Sequence, residues 1–267
     1  MASVTFLGTA GGNAVSRQSR ASGGIIIVVD DVQLHLDPGP GSLVKAKEFG
    51  VNTSNTTAIL VSHNHISHCN DVNALIEAMT HSGIEHRGIV LASKSVLQQT
   101  DLSFPVVTKY HMGLVEKVIA LEKNHKVGID NVEIHALPVQ HTDPTAIGFK
   151  IICPKFTIGY SGDTAFSSEF VESLMGVDLL ILNVTYPGKR AQGMNLDTDS
   201  AMKIISTVRP KMAIITHFGT DMLKLDPITE AREIQRITGV QTIAAHDGLT
   251  ISPAGYQQNQ SPIRGYN

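Results

Sequence analysis

Apolar residues along this chain fall mainly into short runs rich in Val, Ile and Leu, separated by small or polar residues. Such runs are typical of strands in a buried sheet, whereas longer stretches with apolar residues three or four positions apart are typical of helices. The pattern predicts strands near residues 3–7, 24–29, 32–36, 57–61 and 88–92, helices near 40–49 and 70–81, and mostly strand between 115 and 160, most clearly at 132–138, 146–152 and 156–160.

The C-terminal third alternates between the two patterns. It predicts helices at 167–175, 198–207 and 226–238, and strands at 178–184, 211–215, 240–244 and 248–251. Hairpin-type strands beside strand–helix units indicate an α/β (α+β) fold in which helices cover the sheets. No linker or charge run divides the chain, so a single domain over residues 1–252 is preferred, although length alone also allows two small domains. Residues 253–267, rich in Gln, Asn, Gly and Pro, are predicted to form a loosely held C-terminal tail.

Composition narrows the range of partners. The formal net charge is −3, and no segment resembles a basic arm, so neither nucleic acid nor an anionic membrane is an expected partner. The N-terminus lacks the pattern of a signal peptide, and the apolar runs are too short for a membrane span. Two cysteines, Cys69 and Cys153, are too few for a disulfide scaffold. We therefore expect a cytoplasmic protein with reduced thiols.

Three of the 12 histidines, His63, His65 and His68, fall within six residues, directly after the predicted strand 57–61. On an extended turn residues 63 and 65 can point the same way, and residue 68 can approach from the following helical turn. Neutral imidazole is the commonest protein ligand for zinc and similar ions. The segment therefore predicts a metal site. The alternative is a polar loop of solvated histidines.

Three further candidate ligands, His141, Asp163 and His217, each follow a predicted strand. Taken singly, Asp163 could be a helix N-cap and each histidine a surface residue. The repetition favours a shared site, because strand ends on one side of a sheet converge on a common crevice.

The order of these motifs resembles the metallo-β-lactamase superfamily, and most closely its ribonuclease Z-like branch. The resemblance rests on residues 6–12, 36–41, 62–68, 141, 161–164 and 216–219, and it covers roughly residues 3–252. It implies a four-layer αββα sandwich, in which two sheets pack between helices.

The resemblance also implies that the candidate ligands are divided between two metal sites. His63, His65 and His141 would bind a first metal, Asp163 would bridge two metals, and His68 and His217 would complete the second site. Zinc is the expected ion, with manganese and iron open as alternatives. The predicted catalytic positions are Asp163, His217 and Ser67, and a metal-bound hydroxide would be the nucleophile. Asp37 would accept the second N–H of a ligand histidine, or it is simply a turn residue.

Two departures from the family pattern bear on activity. The family pattern is His-X-His-X-Asp-His, and Ser67 stands where the aspartate belongs. A neutral hydroxyl is a poor ligand for a divalent cation, so the second site is expected to be weak unless Asp71 supplies the charge. Ribonuclease Z enzymes carry a histidine that assists the leaving group near the position of Asn195. Asparagine can donate a hydrogen bond but cannot transfer a proton at pH 7.

The remaining histidines and a cysteine are weaker candidates. His246 could stand beside the cleft, and Cys69 either binds a soft ion or is simply buried. His35, inside a strand, is expected to have its hydrogen bonds satisfied within the sheet. Surface positions are expected for the others: His81, His86, His111, His125 and His135.

The sequence therefore predicts a metal-dependent hydrolase acting on a phosphodiester or related ester, with a small-molecule or nucleotide-type substrate. A β-lactam or lactone hydrolase on the same fold is an alternative, and so is a non-catalytic member with an impaired second metal site. tRNA is not an expected substrate, because the charges in 101–126 nearly balance. A homodimer is compatible with the resemblance.

Overall fold

The computed structural model describes residues 2–190 and 193–253. Within these residues the strands are β1 (Ala2–Phe6), β2 (Ile25–Val29), β3 (Val32–Leu36), β4 (Ala58–Val61), β5 (Ile89–Ser93), β6 (Lys117–Leu121), β7 (Lys126–Ile129), β8 (Val132–Pro138), β9 (Ile147–Ile152), β10 (Thr157–Tyr160), β11 (Leu179–Tyr186), β12 (Leu196–Asp197), β13 (Met212–Thr216), β14 (Thr242–Ala244) and β15 (Thr250–Ile251).

The helices of the same residues are α1 (Ala14–Ser19), α2 (Ser42–Glu48), α3 (Ile66–Cys69), α4 (Val72–Met79), α5 (Lys94–Leu97), α6 (Lys109–Met112), α7 (Ser168–Ser173), α8 (Thr198–Val208), α9 (Thr220–Leu225) and α10 (Pro227–Thr238), with a 3-10 turn at Thr53–Asn55. None of these helices is long and apolar enough to cross a membrane.

The strands form two mixed sheets. The first has the order β15-β1-β2-β3-β4-β5-β6, and the second has the order β14-β13-β11-β10-β9-β8-β7 with β12 beside β11. In each sheet one half is antiparallel and the other parallel, as in β1-β2-β3 against β3-β4-β5-β6. The parallel halves place several strand ends on one side of the molecule, where functional loops collect.

The sheets pack face to face over a shared core, to which Phe6 and Leu34 contribute from the first sheet and Phe149 and Ile181 from the second. The outer face of the first sheet is covered by α4. The outer face of the second is covered by α7, α8 and α10, through buried residues such as Ile204. Burying each such side chain contributes about 1.5–3 kcal/mol. The expected four-layer αββα sandwich is confirmed.

The long periodic segments were predicted, and so was the six-residue helix α7, whereas the short helices α1, α5, α6 and α9 were not, because segments of four to six residues show little helical period. Residues 254–267 of the predicted tail lie outside the described residues. The single domain over residues 1–252 stays a prediction.

The expectation for His35 was wrong. The side chain is fully buried in β3, with Ile26 on β2 and Ile59 on β4 as its register partners, and neither ring nitrogen has a hydrogen-bond partner among the described residues. Both register partners are isoleucines, whose side chains offer no hydrogen-bond acceptor. Burial lowers its pKa to about 3, so His35 is neutral at physiological pH.

Candidate metal centre

The six predicted ligands converge on one cleft from loops that follow strands of both sheets. The β4–α3 turn carries His63 and His65, and α3 carries His68. The other three come from the second sheet: His141 follows β8, Asp163 follows β10 and His217 follows β13. Their potential ligand atoms form two groups that share Asp163, and within each group all atoms lie within 4.8 Å of one another.

The first group contains His63, His65, His141 and Asp163. Nδ1 of His65 lies 3.1 Å from Nε2 of His63 and 3.1 Å from Nε2 of His141. Oδ2 of Asp163 lies 3.8 Å from Nε2 of His141. Nitrogen ligands of a tetrahedral zinc ion, each at about 2.0–2.1 Å, are separated by about 3.3 Å from one another. The donor set and its spacing therefore fit a transition-metal ion.

The second group contains His68, Asp163 and His217. Nε2 of His68 lies 3.1 Å from Nε2 of His217 and 3.4 Å from Oδ1 of Asp163. The two oxygens of Asp163 thus face different groups, Oδ2 the first and Oδ1 the second. A carboxylate in this position is suited to bridge two cations.

Each histidine is held by a contact to its other ring nitrogen. The contacts are His63 Nδ1 to Ser62 Oγ at 2.9 Å, His65 Nε2 to Thr142 Oγ1 at 3.4 Å, His68 Nδ1 to Asp37 Oδ2 at 2.8 Å, His141 Nδ1 to the Met194 carbonyl at 2.7 Å and His217 Nδ1 to Thr185 Oγ1 at 3.2 Å. A carbonyl or carboxylate acceptor on Nδ1, as in His68 and His141, makes Nε2 the metal-binding nitrogen of the neutral ring.

Asp37 is the centre of the supporting network. Its Oδ2 also accepts hydrogen bonds from Ser62 Oγ at 2.7 Å and from the Tyr160 hydroxyl at 2.6 Å, and its Oδ1 accepts from the Ser62 N–H at 2.6 Å. The backbone φ of Asp37 is 45°, a left-handed conformation that these bonds hold in place. The predicted contact with a ligand histidine is present, whereas the partners Ser62 and Tyr160 were not found from the sequence.

Asp163 is a buried anion with both oxygens paired. Burial opposes its charge, but the surrounding histidines, His217 and His68 foremost, hold its pKa well below the usual value. Asn183 Nδ2 donates to Oδ1 at 2.8 Å, and Asn195 Nδ2 donates to Oδ2 at 2.9 Å. Asn195, which stands near the position of the leaving-group histidine, therefore directs its amide at the shared carboxylate.

The histidines differ in charge. Burial lowers the pKa of His63 and His65, and it lowers that of His217 to about 4, so these rings are neutral and able to bind a metal. Burial also acts against protonation of His68. There, however, the carboxylates of Asp163 and Asp37 outweigh it and raise the pKa to about 10. A metal entering the second group must displace this proton.

The position of His217 explains Gly11 of the N-terminal motif. His217 has a φ of 63°, and a Cβ on Gly11 would lie 2.2 Å from its Nδ1. The Gly11 N–H donates to the Phe218 carbonyl at 3.0 Å, and the Phe218 N–H donates to the Thr9 carbonyl at 2.8 Å. Only glycine at position 11 lets this turn pack against the imidazole.

Ser67 is buried and lines a cleft of about 290 Å³ together with Asp163, Asn195 and Arg17. Ser67 therefore lines the same cleft as metal-binding residues, and in the sequence it stands where the family pattern has its aspartate. Arg17, on the short helix α1, was not recognised from the sequence because nothing in its local pattern marks it. It is half-buried and brings a positive charge to the cleft.

Asp71 does not supply the missing carboxylate, and that alternative was wrong. Its Oδ2 accepts from the Leu43 N–H at 3.1 Å and its Oδ1 from Asn70 Nδ2 at 2.9 Å. Asp71 precedes α4, where its side chain binds the first turn of α2 instead of pointing into the cleft.

Two other candidates lie apart from both groups. His246 is exposed, with Nδ1 3.1 Å from the carbonyl of Asp247. The Cys69 thiol donates to the Asn64 carbonyl at 3.2 Å, and burial raises its pKa to about 12, so it remains a thiol. The remaining histidines are exposed or half-buried, as expected.

Comparison with known proteins identifies the family of the chain. A family model described as a β-lactamase superfamily domain matches residues 33–218. An uncharacterized protein of Methanocaldococcus jannaschii is 32% identical over 251 residues, which is 93% of this chain and 94% of that protein. A ribonuclease Z of Methanopyrus kandleri is 27% identical over 158 residues, covering 57% of this chain and 50% of that protein.

Solved structures share the fold. The metallo-β-lactamase fold protein YhfI from Bacillus subtilis has a TM-score of 0.78 and 19% identity, over 94% of this chain and 98% of that one. A diphosphatase from the PhnP family has a TM-score of 0.69 and 20% identity, with the same coverage. The chain therefore belongs to the β-lactamase superfamily of metal-dependent hydrolases, with the metallo-β-lactamase fold, and over part of its length it is similar to ribonuclease Z.

Proposed function

We propose that this protein is a metal-dependent hydrolase that cleaves a phosphodiester or a closely related phosphate ester. Zinc is the proposed ion, with His63, His65 and His141 forming the tighter site. The observation that carries the proposal is the pair of adjoining ligand groups that share Asp163, since this arrangement suits hydrolysis assisted by one or two cations.

A divalent cation held there would lower the pKa of a coordinated water toward about 7 and stabilise negative charge that develops on the substrate. The protein's own part is orientation. Asn183 and Asn195 hold both oxygens of Asp163, and Asp37 fixes the ring of His68. Preorganised donors of this kind avoid reorganisation during the reaction.

The charge of the cleft supports a phosphate ester as the substrate. Arg17 lines the same cleft as Ser67 and adds a guanidinium there, whereas Ser67 replaces the anion of the family pattern with a neutral group. Guanidinium groups match the geometry of phosphoryl oxygens with two parallel hydrogen bonds. The similarity to a ribonuclease Z and the shared fold with a diphosphatase point the same way. tRNA remains an unexpected substrate, since no basic arm is present in the sequence.

The ligand set favours catalysis over a purely binding role. A non-catalytic member would not need five histidines in which the ring nitrogen that faces away from the ligand group is also held by a contact. Because Asp71 faces α2, Asp163 remains the sole carboxylate among the two groups of described ligands, and we expect the second ion to bind more weakly than the first.

The test compares substrates on the zinc-loaded protein. We expect turnover of bis(p-nitrophenyl) phosphate, loss of that activity on treatment with a chelator, and slower or no turnover of nitrocefin and a simple lactone. His65→Ala should abolish the phosphodiesterase activity, whereas His125→Ala, at an exposed position away from the cleft, should leave it unchanged. Efficient nitrocefin turnover without phosphodiesterase activity would overturn the proposal.

A further inference from the structure

A buried carboxylate, that of Asp143, lies close to the first ligand group without belonging to it. Asp143 follows the ligand His141 by two residues, in the β8–β9 loop of the second sheet. Only 6% of its surface is exposed, and a buried charge is costly unless hydrogen-bond donors surround it. The donors that Asp143 has found therefore indicate what it holds together.

The two oxygens of Asp143 accept four hydrogen bonds. Oδ1 accepts from the N–H and from Oγ1 of Thr145, both at 2.9 Å. Oδ2 accepts from the Asn64 N–H at 3.3 Å and from Ser95 Oγ. Thr145 Oγ1 also accepts from the Ser95 N–H at 3.1 Å. The carboxylate thus joins the β4–α3 turn and α5, which follow strands of the first sheet, to the β8–β9 loop of the second.

Asn64 is the link to the metal centre, because it stands between His63 and His65 in the β4–α3 turn. A second bond runs beside it, from the Ile147 N–H to the Ser62 carbonyl at 3.1 Å. These two contacts hold the turn against the β8–β9 loop. Since the imidazoles of the first group come from both segments, their separation depends on this connection between the sheets.

His65 is the ligand most sensitive to the position of the turn. Its Nδ1 lies 3.1 Å from Nε2 of His63 and 3.1 Å from Nε2 of His141. Nδ1 is bonded to Cγ and is closer to the backbone than Nε2, so ring rotation can compensate little for a shift of the backbone. The other ring nitrogen of His65 is 3.4 Å from Thr142 Oγ1, the longest of the five such contacts. The backbone of the turn therefore sets where this ligand atom lies.

We propose that Asp143 is a positioning residue for the first metal site, which holds the β4–α3 turn at metal-binding distance from His141 without being a ligand itself. Asp37 contacts a ligand ring, that of His68, directly. Asp143 acts instead through the backbone of Asn64. The inference rests on the proposed assignment of the first site and does not depend on which ester is the substrate.

Zinc titrations of Asp143→Ala and Asp143→Asn test the proposal. Asparagine keeps the shape, but its NH2 group would face a backbone N–H whichever way the amide is turned, that of Asn64 or that of Thr145. We expect both variants to bind the first ion about ten-fold or more weakly than wild type, the loss typical when a group that supports a metal ligand is removed. The affinity for the second ion should stay unchanged. If Asp143→Ala does not fold, the milder Asp143→Asn carries the comparison.

Asp178→Ala is the matched control. Asp178 also holds backbone, since its Oδ2 accepts from the Thr157 N–H at 2.8 Å, and its Oδ1 lies 2.8 Å from Lys211 Nζ. It precedes β11, so it lies at the ends of the strands opposite to the metal centre. We expect Asp178→Ala to lower the free energy of unfolding in urea and to leave both zinc affinities unchanged. A purely stabilising role for Asp143 would make the two alanine variants alike.

Hydrogen exchange in the metal-free protein tests the positioning without zinc. The Asn64 amide should exchange slowly in wild type and about ten-fold or more faster in Asp143→Ala, because its acceptor is lost. Asp178→Ala should leave this rate unchanged. The measurement, made by NMR, reports on the turn itself.

The outcomes separate this inference from the proposed function. Equal affinity of wild type and Asp143→Ala for the first ion, or equal weakening of both ions, would overturn the inference while the metal site stands. Equal zinc binding by wild type and His65→Ala would contradict the proposed function at its metal site. In that case the exchange of the Asn64 amide alone decides whether Asp143 holds the turn.

Discussion

Oδ2 of Asp37 accepts a hydrogen bond from Nδ1 of His68 at 2.8 Å, and both side chains are almost fully buried. The contact ties the turn after β3 to α3 and directs the Nε2 of His68 toward the second ligand group. Together with Asp163, Asp37 raises the pKa of His68 to about 10 although burial opposes it, so His68 is protonated in the metal-free protein at neutral pH.

Metal binding should therefore release protons unequally. The first ion meets His63 and His65, whose pKa values are lowered, and should release almost no proton. The second must displace about one proton from His68, so its affinity should rise as pH increases toward about 10. Calorimetric titration of metal-free protein in two buffers of different ionisation enthalpy measures both steps. Equal proton release in the two steps would contradict the assignment.

Protonation of His68 also makes the folding stability of the metal-free protein depend on pH. Because the folded-state pKa of His68 lies above its usual value of about 6.5, the protonated ring contributes stability fully below that value, and the contribution is lost as pH rises through about 10. Asp37→Asn removes one of the two carboxylates that raise the pKa. In this variant the second metal should release less than one proton at neutral pH.

A second prediction concerns Gly11. A Cβ at this position would fall 2.2 Å from Nδ1 of His217, so Gly11→Ala should displace the imidazole. We expect weaker binding of the second ion by about ten-fold or more, with the first ion retained. Gly128→Ala is the matched control, since its Cβ would meet nothing within 4 Å. Two ions bound by Gly11→Ala as tightly as by wild type would show that His217 is not a ligand.

Much of this site could be predicted from the sequence because its ligands follow strands whose apolar runs are easily recognised. The ligands are far apart in the chain, yet each of His63, His141 and His217 follows a strand of one of the two packed sheets. The supporting contacts could not be predicted in this way. Tyr160 reaches Asp37 across 123 positions, and Asn183 reaches Asp163 from a neighbouring strand.

The error about Asp71 has a local cause. Three residues past His68, its carboxylate could have reached back into the site from the first turn of a helix, but α3 ends at Cys69 and Asp71 instead precedes a new helix that begins at Val72. The break turns the carboxylate of Asp71 toward the Leu43 N–H. Arg17 was not recognised because α1 is too short for its sequence to show which side of the helix faces the cleft.

A third prediction uses His35, whose buried ring has a pKa of about 3. In the unfolded chain the pKa returns to about 6.5, so the unfolded state binds a proton that the folded state does not, and stability falls as pH decreases from about 6.5 toward 3. His35→Phe keeps a similar shape without this penalty. In chelator, its free energy of unfolding relative to wild type should increase between about pH 7.5 and about pH 5.

Urea unfolding at the two pH values measures this change, with His125→Phe at an exposed position as the control. If the difference between His35→Phe and wild type is the same at both pH values, His35 is not the neutral buried group described above.

A fourth prediction concerns Ser67. The residue lines the cleft beside Asp163, which alone cannot neutralise two divalent cations. Ser67→Asp should tighten the second ion and raise phosphodiesterase activity about ten-fold or more, equivalent to about 1.4 kcal/mol in the barrier. Ser67→Asn is the matched control, because asparagine has nearly the size of aspartate but no charge. It should neither tighten the second ion nor raise the activity. If wild type binds two ions tightly and Ser67→Asp has lower activity, Ser67 does not weaken the second metal site.

The most direct measurement of the central claim is a zinc titration of metal-free protein in which bound zinc and hydrolysis of bis(p-nitrophenyl) phosphate are followed on the same samples. Wild type should gain one tightly bound ion and then a weaker one, with activity appearing as these sites fill. His65→Ala should lose the tight step and the activity together, because His65 contacts both other histidines of the first group. Equal zinc binding by wild type and His65→Ala, or phosphodiesterase activity that persists without bound metal, would contradict the account.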